Sequence, residues 1–67
     1  MKIENQMKKF RKKEDITQAE LAEEVGVSRQ TINAIETGKY DPSLELALKI
    51  SDFFSTDVEK IFKLKRG

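Results

Sequence analysis

Residues 18–37 of this 67-residue chain read QAELAEEVGVSRQTINAIET, which is two short helical patterns joined at a single glycine. The first pattern begins with a capping box, because the Thr17 hydroxyl and the Glu20 carboxylate can each bond to the other residue's backbone N–H. Its apolar positions share one face, formed by Leu21, Ala22 and Val25. Gly26 follows at once, and glycine ends a helix in the left-handed conformation at little cost. These residues predict a helix that stops in a short, sharp turn.

The second pattern opens with Ser28, a good helix-capping residue, and places Ile32 and Ile35 on one inward face. Polar side chains occupy its other faces, namely Arg29, Gln30, Asn33 and Thr37. Two helices joined by so tight a turn are typical of a helix-turn-helix motif. The second helix of such a motif can present polar side chains to the edges of DNA bases.

The composition limits the chain to one domain, residues 1–67, because so few side chains cannot close a second core. Apolar residues make up 37% and charged residues another 37%, which fits a folded helical domain better than disorder. The sequence contains neither cysteine nor histidine, so it excludes disulfides and we expect no metal site and no cofactor. Without those residues, or a carboxylate pair outside capping and surface positions, we expect no enzyme activity. The sequence has no apolar run long enough for a membrane span or a signal peptide, so we expect a cytoplasmic protein.

The net charge of +1 conceals an uneven distribution. Residues 1–13 carry six Lys or Arg against one acid, whereas residues 41–59 carry five acids against one Lys. Such a basic run usually forms the solvated face of a helix. The alternative is that part of this basic surface lies near DNA phosphates.

Flanking elements are predicted on both sides of the motif. We expect a first helix over residues 4–13, a core helix over residues 44–54 capped by Ser43, and a short last helix capped by Asp57. Residues 62–65 alternate with period two and predict a strand, which could pair with residues 1–3 as a small antiparallel ribbon. The expected packing residues are Ile3, Met7, Phe10, Leu21, Val25, Ile32, Ile35, Leu48, Phe53 and Phe54.

Over residues 7–62 the chain resembles the Cro/repressor-like, or XRE-type, helix-turn-helix family. The matching motifs are Thr17-Gln18-x-x-Leu21-Ala22, Gly26-Val27-Ser28, Ile32, Ile35-Glu36-x-Gly38 and Pro42-Ser43-Leu44. The resemblance implies an all-α, five-helix, lambda-repressor-like fold and sequence-specific binding to double-stranded DNA in transcriptional control. The family often has glycine where Asp15 and Ser55 stand here, and a left-handed backbone suits aspartate better than serine.

The resemblance also assigns roles to single residues. Arg29 and Gln30 match the family's main base-reading pair, while Gln18 matches a residue that contacts a phosphate and supports the recognition helix. Asn33 is expected to be a weaker base reader or a phosphate ligand. The remaining expected DNA contacts, chiefly to the backbone, are Ser28, Thr31, Thr37, Lys39 and Tyr40, with the alternative for Tyr40 that it covers Pro42 as a partly buried loop aromatic. Arg11 and Glu36 match a buried structural ion pair.

Family practice and symmetry both favour a homodimer that represses transcription from a near-palindromic operator. We expect the dimer interface in residues 44–65, with Ile61, Phe62 and Leu64 in it. Glu20, Glu23 and Glu24 offer an acidic surface that could meet RNA polymerase, although such a surface is usually only solvated. The alternative function is an antitoxin or another protein-interaction module built on the same fold.

Overall fold

The computed structural model describes residues 2–66, which form five helices and two short strands. In chain order the elements are β1 (Lys2–Asn5), α1 (Met7–Lys13), α2 (Gln18–Val25), α3 (Arg29–Glu36), α4 (Leu44–Phe53), α5 (Val58–Ile61) and β2 (Phe62–Lys65). Helices α2 and α3 are the two halves of the predicted helix-turn-helix motif. The five-helix prediction is confirmed, but the all-α class must be corrected to a mainly helical domain with a small sheet.

Strands β1 and β2 pair antiparallel and join the two ends of the chain. Ile3 lies opposite Leu64, and Asn5 lies opposite Phe62. The predicted ribbon is therefore present within the described residues, and Met1, the first residue of its predicted N-terminal strand, lies outside them.

The ribbon also corrects the start of α1, which is Met7 and not residue 4. The Gln6 N–H donates to the Ile61 carbonyl at 2.7 Å, and the Met7 N–H donates to Asn5 Oδ1 at 3.2 Å. These two bonds lie where the pairing of β1 with β2 ends and α1 begins. The earlier predicted start rests on Ile3, which stands one turn before Met7 and two before Phe10 in a helical spacing but lies in β1.

Serine or threonine caps three of the helices. The Thr17, Ser28 and Ser43 hydroxyls accept from the backbone N–H three residues ahead, at 3.0–3.1 Å. The Thr17–Glu20 capping box is complete, because Glu20 Oε1 also accepts from the Thr17 N–H. Asp57 occupies the cap position of α5, but its side chain makes no capping bond, so that part of the prediction is wrong.

Helices α1 to α4 all end in the same way, with one left-handed residue. These residues are Asp15, Gly26, Gly38 and Ser55, with φ of 56°, 77°, 78° and 53°. The next N–H then donates to a carbonyl five residues back, as in Val27 to Ala22 at 3.0 Å and Thr56 to Ser51 at 3.0 Å. This closure satisfies carbonyls that a helix end would leave without partners. Asp15 and Ser55 thus adopt the backbone for which the resembling family uses glycine.

A single core lies between α1, α2, α3, α4 and α5. Its fully buried large side chains are Met7, Leu21, Ile32, Ile35, Ile50 and Ile61, with Phe10, Phe54 and Phe62 packed against them. Three predicted core residues are instead on the surface, because Ile3, Leu48 and Phe53 are 40%, 51% and 37% exposed. Helix α4 turns Leu46 inward instead, since Leu46 and Ile50 lie one turn apart on the face that meets the core. No helix within residues 2–66 has the length and apolarity that crossing a bilayer would require.

Candidate nucleic-acid interface

The interface is built on α3, which α2 and the turn at Gly26 hold at the surface. The inward side chains of α3, Ile32 and Ile35, are completely buried, so the helix cannot rotate about its axis without losing core contacts. Arg29 and Gln30 in its first turn are exposed, as predicted. Ser28 fixes the start of the helix by accepting from the Thr31 N–H at 3.1 Å.

The far end of α3 is fixed by the ion pair predicted between Arg11 and Glu36. Arg11 Nε and Nη2 donate to the two carboxylate oxygens of Glu36 at 2.7 and 3.1 Å, so the pair is bidentate. Arg11 Nη1 also donates to the Ile16 carbonyl at 2.9 Å. The side chains are 11% and 3% exposed, which places the pair largely out of solvent. It ties α1 and the loop before α2 to the last turn of α3.

Both members of the pair are held in their charged forms. The hydrogen bond to Glu36 raises the pKa of Arg11 above its ordinary value, against the opposing effect of burial. Burial alone would raise the pKa of Glu36, but the hydrogen bonds from Arg11 and Gln18, with the charges of Arg11 and Lys8, outweigh it and lower that pKa. The Glu36 site is therefore occupied by a carboxylate at neutral pH.

Gln18 links this ion pair to the exposed face of α3. Its Nε2 donates to Glu36 Oε1 at 3.0 Å and to Asn33 Oδ1 at 3.2 Å. The expected role of Gln18 as a support for α3 is thus visible as two bonds. Asn33, expected to be a weaker base reader or a phosphate ligand, has its amide oxygen bonded to Gln18.

Three predicted contact residues have hydroxyls engaged within the protein. The Ser28 and Thr31 hydroxyls lie 3.0 Å apart and share a hydrogen bond. The Thr37 hydroxyl donates to the Asn33 carbonyl at 2.9 Å. Because a phosphate only accepts hydrogen bonds, Thr37 would have to give up that bond to contact one.

The other predicted contacts lie free on either side of α3. Lys39 and Tyr40 follow its C-terminal end in the loop before α4 and are exposed; Tyr40 retains 50% of its surface and lines a groove with Val27 and Thr31. Half of the Tyr40 surface is buried, so the alternative that Tyr40 covers Pro42 as a partly buried loop aromatic stays a prediction. At the other side, Arg29 lines a second open groove with Gln18 and Arg11.

Sequence reasoning missed Asn5, whose Nδ2 donates to the Ile35 carbonyl at 2.8 Å. This bond attaches the ribbon to the last turn of α3. Nothing local in the sequence around Asn5 indicates it, since the partners are thirty positions apart. Within residues 2–66 no three His, Cys, Asp or Glu side chains gather where they could hold a metal ion.

A capped, solvent-facing second helix with polar side chains in its first turn defines the helix-turn-helix class of DNA-binding domains. The family model described as "Helix-turn-helix" matches residues 7–61, and the chain belongs to this family of XRE-type transcriptional regulators.

Similar proteins agree with that membership. An HTH-type transcriptional regulator of Methanocaldococcus jannaschii, MJ0272, is 55% identical over 60 residues, which cover 90% of this chain and 91% of that protein. The HTH-type transcriptional regulator YgzD of Bacillus subtilis is 48% identical, over 94% of this chain and 96% of that one. The crystal structure of a candidate DNA-binding protein from Bacteroides fragilis superposes with a TM-score of 0.82 at 26% identity, covering 91% and 98% of the two chains.

Proposed function

We propose that the protein binds a specific double-stranded DNA sequence as a homodimer and represses transcription from a near-palindromic operator. The observation that carries this proposal is the mounting of α3. Its buried face and its fixed ends leave Arg29 and Gln30 exposed on a rigid element. A rigid support lowers the entropy lost when such side chains settle on base edges.

The residue types suit the major groove. Arginine donates twice to the O6 and N7 of guanine, and glutamine pairs with the N6 and N7 of adenine through one donor and one acceptor. The face of α3 that carries Arg29, Gln30 and Asn33 has no exposed acid to repel phosphates. We assign base reading to Arg29 and Gln30, and phosphate contacts to Thr31, Lys39 and Tyr40. The Gln18 side chain is assigned only the support of α3, because both hydrogens of its NH₂ group are engaged within the protein.

A dimer follows from the small size of the reading surface. One recognition helix covers only part of a helical turn, whereas two copies related by two-fold symmetry place their helices in successive major grooves about 34–36 Å apart. The surface we propose for the contact consists of the exposed apolar side chains of residues 44–65, together with the half-buried Phe62. The exposed side chains are Leu44, Leu48, Phe53 and Leu64. Ile61 is withdrawn from the expected interface, because it is completely buried in the core of its own chain and offers no surface to a second copy.

Repression is the simplest consequence of operator binding, because a bound dimer excludes other proteins from the same DNA. Contact with RNA polymerase would use the acidic side of α2. Fewer side chains are available for it than the sequence indicates, because the Glu20 carboxylate is bonded to the Thr17 N–H. Glu23 and Glu24 remain exposed. In a prokaryotic cell, binding to the chromosome would also require the cytoplasmic location that the sequence predicts.

Selection of bound sites from random duplex DNA tests the proposal. We expect an enriched site of two inverted halves whose centres are about 10–10.5 base pairs apart. Enrichment of a single half-site would support sequence-specific binding but contradict the proposed homodimer. Enrichment of no sequence would remove the function, and the protein-interaction alternative would then take its place.

A further inference from the structure

Gln18 holds its side-chain amide in one orientation, because of the group it faces. Its terminal nitrogen lies 3.0 Å from Glu36 Oε1. A carboxylate accepts hydrogen bonds and donates none, so the NH₂ end of Gln18 must be the end that points towards Glu36. The oxygen end, turned the same way, would bring two acceptors into contact.

The orientation of Gln18 in turn determines that of Asn33. The second hydrogen of the Gln18 NH₂ group points towards Asn33, whose Oδ1 lies 3.2 Å from Nε2. Asn33 must therefore turn its oxygen inwards and its own NH₂ group outwards. Asn33 is exposed, and its Nδ2 has no hydrogen-bond partner within residues 2–66.

We propose that Glu36, acting through Gln18, fixes Asn33 as a hydrogen-bond donor towards DNA, so that the base pair facing it is selected for acceptors. The inference rests on the proposed DNA-binding function and concerns the specificity of the same surface. Glu36 and Gln18 are positioning residues here, and Asn33 is the reader.

This assignment reverses the usual preference of asparagine. A free asparagine pairs with adenine, donating to N7 and accepting from the N6 amino group. Here that oxygen is turned inwards to Gln18 and does not face the N6 amino group, so adenine loses that advantage. Guanine, which offers the acceptors N7 and O6, and thymine, which offers O4, suit an outward NH₂ group better.

The hydrogen bonds that connect Glu36, Gln18 and Asn33 form a relay. This relay can be tested without DNA by measuring side-chain amide hydrogen exchange with NMR. We expect both Gln18 NH₂ protons to exchange several-fold more slowly than those of Gln30, which is an exposed glutamine and serves as the internal control. The Asn33 NH₂ protons should exchange about as fast as those of Gln30. Equal rates for Gln18 and Gln30 would overturn the relay, whether or not the protein binds DNA.

The specificity is tested by repeating the site selection with three proteins. Asn33→Ala identifies the base pair that Asn33 faces, as the position at which preference is lost. In the natural protein, adenine at that position should be disfavoured at least about fivefold relative to guanine or thymine. Gln18→Met, which keeps the length of the side chain and removes its donors, should let the Asn33 amide turn over and admit adenine there.

The outcomes separate the possible failures. A general weakening of the α3 support in Gln18→Met would lower the affinity for all sequences alike, so only a change at the single position supports the relay. If Asn33→Ala weakens every sequence and alters no position, Asn33 binds a phosphate and the proposed base reading is overturned. Adenine preferred by the natural protein would overturn the donor assignment, whereas an absence of any sequence preference would instead count against the proposed function.

Discussion

Glu36 is the residue on which the polar contacts behind α3 converge. Its 3% exposed side chain accepts from Arg11 and Gln18. Removal of one member of a buried pair leaves the other charge without compensation, whereas replacement of both by apolar groups is often neutral. We therefore expect Arg11→Met to lower the free energy of unfolding by about 3–5 kcal/mol, and the double variant Arg11→Met/Glu36→Leu to recover most of that loss.

Urea unfolding at fixed protein concentration measures both effects, the concentration being fixed because self-association contributes to stability. Lys12→Met, an exposed neighbour on α1, is the matched control and should change stability little. A double variant no more stable than Arg11→Met would contradict the charge-burial explanation.

The lowered pKa of Glu36 makes the same pair sensitive to acid. A carboxyl with a folded-state pKa below its unfolded value of about 4.3 stabilises the fold above that pH and loses the contribution as pH falls through the folded value. Glu36→Gln has no charge to lose. The difference in unfolding free energy between natural protein and Glu36→Gln should thus be constant near neutral pH and shrink below about pH 4, in a series of urea titrations. A difference that grows on acidification would mean that the pKa is raised instead.

Variants of Arg29 and Lys39 distinguish a contact to a base from a contact to a phosphate. Because we assign Arg29 to a base edge, Arg29→Ala should cost about 1–3 kcal/mol on the selected site and little on random duplex. Lys39→Ala, assigned to a phosphate, should weaken both duplexes alike and reduce the slope of log affinity against log salt by about one. Binding titrations at several salt concentrations measure these quantities. Equal losses on both duplexes for Arg29→Ala would place that side chain on a phosphate.

At the scale of the elements, Ser28 and Ser43 provide a matched pair of helix caps. Their hydroxyls accept from the Thr31 and Leu46 N–H groups, both at 3.1 Å, but Ser28 starts the exposed α3 and Ser43 starts α4. Replacement of either by alanine should lower the unfolding free energy by about 1 kcal/mol. Only Ser28→Ala should also weaken DNA binding, because fraying of the first turn of α3 would displace Arg29. Equal DNA affinities for the two variants would contradict this role.

Most of the elements could be predicted from the sequence because their signals are local. Caps such as Ser28 and Ser43 and the stop at Gly26 lie within a few positions of the helices they bound, and the structure places them there. The failures have non-local causes. Residues 4 and 5 form a strand because β2 lies beside them, a pairing that their own pattern does not indicate.

In the core and the site, too, local patterns could be predicted and contacts between distant positions could not. A helix with apolar residues on more than one face, such as α4, does not reveal which face meets its neighbours. Its pattern predicts Leu48 in the core, where the structure places Leu46. The exposure of Arg29 followed from the period of α3. The bonds from Gln18 to Asn33 and from Asn5 to Ile35 join distant positions, and only the folded chain shows them.

At the scale of the whole molecule, the ribbon connects the ends of the chain to the reading helix. Asn5 bonds to the last turn of α3, and the Gln6 N–H bonds to Ile61 at the end of α5. A surface that joins two copies near β2 would therefore be held in a fixed position relative to α3. Such a fixed relation is what a half-site spacing requires.

This arrangement leads to a prediction for β2. Leu64 is 57% exposed and lies on the same strand face as Phe62, whereas Lys63 points to the other face. If the second copy packs on Leu64, Leu64→Ser should shift the protein from dimer to monomer in sedimentation experiments while Lys63→Ser leaves the dimer intact. The monomer should still bind a duplex carrying one half-site, because α3 is unchanged, but should lose the added affinity for the full operator. An unaltered dimer in Leu64→Ser would move the interface away from the ribbon and towards α4, whose exposed large apolar side chains are Leu44, Leu48 and Phe53.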